Sequence, residues 1–98
     1  MTIEDWRTEI DEVDSQLLRL LNRRARLAVK VGAVKRAANL PLFDPEREQE
    51  VLNRAGEQND GPLDSLAITK IFRRIIYESR RAEALSYDSA PAHLQEVS

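Results

Sequence analysis

Read at every third or fourth residue, the first third of the chain gives Arg7, Ile10, Asp14, Leu17, Leu21, Arg24, Ala28, Val31 and Lys35. Apolar residues at that spacing pack one face of a helix against a partner. The cations Arg7, Arg24 and Lys35 on that face must therefore be expelled to solvent or matched by an anion, because an unpaired buried charge is strongly unfavourable. Two later segments repeat the pattern. Ser79 and Glu83 follow Phe72, Ile75 and Ile76 on one helical face, and Asp44, Arg47 and Glu48 share a face with Val51 and Ala55. Such a cluster either neutralises itself internally or surrounds a polar ligand, and its chemistry is electrostatic gripping and positioning.

Other chemistries lack their tools. The 98 residues include no cysteine and a single histidine, His93, which leaves no zinc or transition-metal ligand set and no thiolate. Glycine-rich phosphate loops and nucleophile elbows are absent, so no cofactor and no metal is expected. With 15 Lys and Arg against 17 Asp and Glu, the net charge of -2 gives no global attraction to nucleic acid or to an anionic membrane. The basic residues of "RRARLAVKVGAVKR" point around the helix and no aromatics interleave with them, unlike a single-strand binding platform. The start is acidic and amphipathic, and no segment has the length of a membrane span. A cytoplasmic protein with no nucleic-acid or membrane partner is expected.

The elements that must position these residues are all helical. From Ile3 to about Ala38 there is no proline and one glycine, Gly32, which predicts one long helix. At about 1.5 Å per residue it would extend roughly 54 Å, whereas a 100-residue globule has a radius of gyration of about 13 Å. The rest of the chain, folded back once, cannot cover that length, so a symmetric dimer is expected. "NLPLFDPERE" ends the first helix and opens a second, with Asp44 as N-cap and Pro45 at its first position, running to about Gln58. "NDGPLDS" is the next break. Asp64 or a neighbour caps a third helix to about Leu85, with Ile68, Phe72, Ile75, Ile76, Ser79 and Glu83 as its inner stripe. The expected organisation is an all-α domain over 1–85, with 86–98 as a flexible tail or linker stub.

"RTEIDEVDSQLLRLLNRRARLAVKVGAVK", "LFDPERE" and "IFRRIIYESRRAE" together resemble the all-helical, AroQ-type chorismate mutase family in order and spacing. The resemblance spans about Ile3 to Leu85. It implies an intertwined homodimer of three-helix chains in which each long helix bridges two active sites, and conversion of chorismate to prephenate in phenylalanine and tyrosine biosynthesis. It implies that Arg24 grips one substrate carboxylate and that Arg7 reaches the second from the other subunit. Lys35 would donate to the ether oxygen, the Asp44 backbone and Glu48 would receive the ring hydroxyl, Arg47 would order the site, and Ser79 would assist a carboxylate. Glu83 stands where the family carries Gln or Glu to donate a second hydrogen bond to the ether oxygen, which a carboxyl group does only when protonated. Arg80 stands where the family often has an apolar wall residue.

The chemistry fits those roles, since an intramolecular rearrangement needs neither nucleophile nor general base, only a clamped conformer and stabilised charge. Two other readings use the same residues. An isochorismate pyruvate lyase would also clamp two carboxylates and stabilise an ether oxygen. A non-catalytic helical dimerisation module, with Arg24, Lys35, Glu48 and Glu83 as an interface network, predicts no substrate binding.

Overall fold

In a computed structural model describing residues 1–88, the chain forms three helices, α1 (Ile3–Ala37), α2 (Pro45–Gln58) and α3 (Ser65–Asp88). α1 begins at a capping box, in which the Thr2 side chain accepts from the Asp5 N–H and the Asp5 carboxylate accepts from the Thr2 N–H. Two of the orphan donors of a helix start are thereby satisfied. The helix ends where Asn39 turns into the left-handed region at φ 58°. The Leu40 N–H there reaches the Lys35 carbonyl at 2.8 Å and the Asn39 N–H reaches that of Arg36 at 3.1 Å, which is a Schellman closure.

The start of α2 is set by Asp44, whose side chain accepts from the Arg47 N–H at 3.1 Å, with Pro45 following. The break before α3 is organised by Asn59, whose amide donates to the Leu63 carbonyl at 2.8 Å and whose side-chain oxygen accepts from Gly61 N–H. Gly61 has φ 83°, a conformation that favours glycine. Asp64 then caps α3 by accepting from the Ala67 N–H at 2.8 Å. The expected limits hold within a residue for α1 and α2. α3 continues past Leu85 to Asp88. Residues 89–98, most of the expected tail and His93 with it, lie outside the described residues.

α3 packs against both α1 and α2, and the interior of the single chain is thin. Ile76 and Ser79 of α3 are buried, Phe72, Ile75 and Glu83 are half-buried, and Gly32 is the buried residue of α1. The chain is elongated, 59 × 29 × 14 Å, with a radius of gyration of 17.4 Å. Trp6, Ile10, Val13, Leu17 and Leu20 of α1 are each at least half exposed. Of the stripe read from the sequence, Arg7, Ile10, Asp14, Leu17 and Leu21 are exposed and Arg24, Ala28 and Lys35 are half-buried, so one chain leaves its N-terminal part uncovered, as the length of α1 led one to expect.

Candidate active site

One cleft of about 270 Å³ opens between the C-terminal half of α1, the start of α2 and the middle of α3. Arg24 and Lys35 come from α1, Asp44, Arg47 and Glu48 from the capped start of α2, and Ser79 and Glu83 from α3. Seven of the eight residues singled out from the sequence therefore meet in one place. The eighth, Arg7, does not. It lies about 26 Å along α1 from Arg24 at about 1.5 Å per residue, exposed and paired with Glu4 at 3.2 Å, so a single chain cannot close both around one small molecule.

Local geometry explains how each group is held. Arg24 Nη1 donates to Ser79 Oγ at 2.7 Å, and both are withdrawn from solvent. Burial first, and then the positive charge of Arg47, lower the Arg24 guanidinium below its ordinary value, yet it stays a cation at any physiological pH. Arg47 is tethered to Glu50 at 3.2 Å. Among the described residues, no carboxylate lies within salt-bridge distance of Arg24 or Lys35. The cleft therefore holds two cations whose charge is not neutralised by direct contact.

Its acidic side is differently set. Glu48 Oε1 meets Arg80 Nη2 at 3.1 Å, and the Arg80 guanidinium lies 4.9 Å from the centre of the Phe43 ring. Desolvation raises the Glu83 carboxyl above the ordinary glutamate value, against the opposing pull of Lys35, Arg36 and Arg80. A raised carboxyl beside an ammonium gives two groups able to donate toward one oxygen atom, provided the acid is protonated. The Arg80 to Glu48 pair and the seating of Glu83 against α1 were not anticipated. Both join residues far apart in sequence, and the signal available beforehand was the presence of an Arg at a wall position.

The three helices thus gather two cations without a carboxylate partner, a capped helix start and a raised carboxyl into one cleft. The chain belongs to the family described as chorismate mutase type II, whose model matches residues 6–84. It is 41% identical over 78 residues to a bifunctional chorismate mutase/prephenate dehydratase of Aquifex aeolicus, covering 76% of this chain and 22% of that protein. The chain thus spans about a fifth of the length of the curated relatives it matches. Among solved structures it is similar to chorismate mutase (form II) of Thermus thermophilus, with a TM-score of 0.82 and 36% identity, covering 84% of this chain and 93% of that one. A Helicobacter pylori chorismate mutase in complex with prephenate superposes with a TM-score of 0.82 at 28% identity, covering 91% and 97%.

Proposed function

We propose that the chain is a chorismate mutase, converting chorismate to prephenate in phenylalanine and tyrosine synthesis without a cofactor. The observation that carries this reading is the pair of unneutralised cations, Arg24 and Lys35, facing Glu83 in one cleft. In the rearrangement the C–O bond of the enolpyruvyl ether breaks as a C–C bond forms to the ring, so nothing is added or removed. The work left to the protein is to hold the folded conformer and to stabilise negative charge growing on the ether oxygen. Arg24, seated by Ser79, clamps one carboxylate with its paired donors. Lys35 and a protonated Glu83 donate to the ether oxygen. Glu48 and the Asp44 backbone receive the ring hydroxyl, and Arg47 holds the entrance to α2 in place.

A second copy completes the site in this reading. The exposed row of Trp6, Ile10, Val13, Leu17 and Leu20 is an apolar surface of the kind that marks an interface, and Arg7 lies at its outer end. A symmetric dimer would cover that row and bring each Arg7 to the partner's cleft as the clamp for the second carboxylate. The setting is the cytoplasm, where aromatic amino acids are made; no helix among the described residues is long and apolar enough to cross a membrane.

The test is to incubate the purified chain with chorismate and, separately, with isochorismate, and to identify the products. Prephenate from chorismate supports the assignment. Pyruvate released from isochorismate, without prephenate formation, replaces it with a lyase.

A further inference from the structure

Gly32 lies on α1 one turn before Lys35 and is buried. A Cβ built there would stand 3.0 Å from Glu83 Oε2, 3.2 Å from its Cδ and 3.3 Å from its Cγ. The outer half of the Glu83 side chain therefore lies close against the backbone of α1, where an added Cβ would be held tighter than about nine in ten real Cβ contacts and Glu83 would have to give by a few tenths of an ångström. A glycine inside a helix is unfavourable relative to alanine, and nothing at this position asks for unusual backbone freedom, since Gly32 is ordinary helix. What the missing side chain provides is room. Gly56 of α2 makes the contrast, because a Cβ added there would meet nothing within 4 Å.

We propose that Gly32 is a positioning residue for Glu83: its bare backbone is the seat against which the Glu83 carboxyl rests, aligned with Lys35 along the same stretch of α1. The inference rests on the mutase reading for its catalytic consequence, and on the contact alone for its structural one. Lys35 and Arg36 on α1, Arg80 on α3 and Glu48 on α2 surround this carboxyl or line the same cleft. A methyl group at position 32 pushes Glu83 off its seat by a few tenths of an ångström without removing any of these charges. Misplacement of a reacting geometry is costly even when small. Gly32→Ala should accordingly lower kcat about tenfold, with KM changed less, because Arg24 and Ser79 hold the carboxylate clamp elsewhere in the cleft.

The experiment is a double-mutant cycle of Gly32→Ala and Glu83→Ala, read both by kcat and by thermal unfolding, with Gly56→Ala as reference. Gly56→Ala should raise Tm by a few degrees and leave kcat unchanged. Gly32→Ala should give no such rise in the wild-type background but should give it once Glu83→Ala has emptied the space. It should lower kcat in the wild-type background and have no further effect on a Glu83→Ala protein. The unfolding half of the cycle reads the contact even if the chain turns over no chorismate, so failure of the mutase reading and failure of this inference are separable. Should Gly32→Ala fail to fold alone, recovery of folding in the double variant supports the seat, and its failure to fold as well overturns it. Equal effects of Gly32→Ala on Tm in both backgrounds overturn the seat, and, where the chain turns over chorismate, equal fold-changes in kcat in both backgrounds overturn its positioning role.

Discussion

Arg24 of α1 donates to Ser79 of α3 across 2.7 Å, joining two helices at positions 55 residues apart. The bond fixes the guanidinium where it is partly desolvated and leaves its other donors for a ligand. Ser79→Ala frees Arg24 to rotate and should raise KM for chorismate several-fold, with a stability loss of about 1 kcal/mol for one hydrogen bond. Arg24→Lys keeps the charge but not the planar fork, so it should behave as a severe variant rather than a conservative one. Steady-state kinetics and urea unfolding of both proteins check this.

A pH dependence is expected from the acid at position 83. Its pKa is raised, foremost by burial and against the pull of Lys35, Arg36 and Arg80, so the proton is held more tightly in the folded than in the unfolded chain. Its contribution to stability is present below the ordinary carboxylate value and is lost as pH rises through the folded-state value. Donation to the ether oxygen also needs the proton, so kcat should fall over that same upper window. Glu83→Gln should flatten the kcat profile because an amide donates at every pH. An unchanged profile in that variant would remove Glu83 from the role.

Arg80 ties Glu48 to the Phe43 ring, bridging the start of α2, the preceding loop and α3. The pair is partly exposed, which limits its strength. Arg80→Ala should lower stability by about 1 kcal/mol from the ion pair and the ring contact together. A cycle with Glu48→Gln under urea should show positive coupling that shrinks at high salt.

Asn39 closes α1 in a left-handed conformation and so sets the course of the loop carrying Leu42 and Asp44 to the cleft. Asn39→Gly should leave thermal stability unchanged or raised. Asn39→Val, branched and at positive φ, should lower stability by about 1–2 kcal/mol, measurable as a reduced Tm.

Sharing of sites between two chains can be read by complementation. Arg7→Ala and Arg24→Ala proteins, each nearly inactive alone, should on subunit exchange regain on the order of a quarter of wild-type activity, since half the dimers then carry one intact site. No recovery after proven exchange would contradict the shared site.

Much of this organisation was legible from residue types. Asp44 and Pro45 announce the start of α2, and Asp64 that of α3, because side-chain caps act locally. The cleft residues stood out because each is polar on an otherwise apolar helical face. The end of α3 was less legible: the residues after Leu85 lose the apolar period but contain no Gly or Pro before Pro91, so the helix continues to Asp88 at little cost. The seating of Glu83 on Gly32 and the capture of Glu48 by Arg80 depend on how closely α3 approaches α1 and α2. That approach is a property of packing, which spacing within one segment does not encode.

Binding and rearrangement of chorismate in the cleft around Arg24 can be measured directly. Loss of chorismate absorbance, with the product identified, should be measured for the wild-type protein and for Arg24→Ala, alongside circular dichroism of both. Prephenate formation by the wild type is expected, with a fall of at least about 10²-fold in a variant that keeps its helical signal, the size of effect that follows removal of one donor of preorganised charge stabilisation. Wild-type turnover that survives Arg24→Ala undiminished would contradict this expectation.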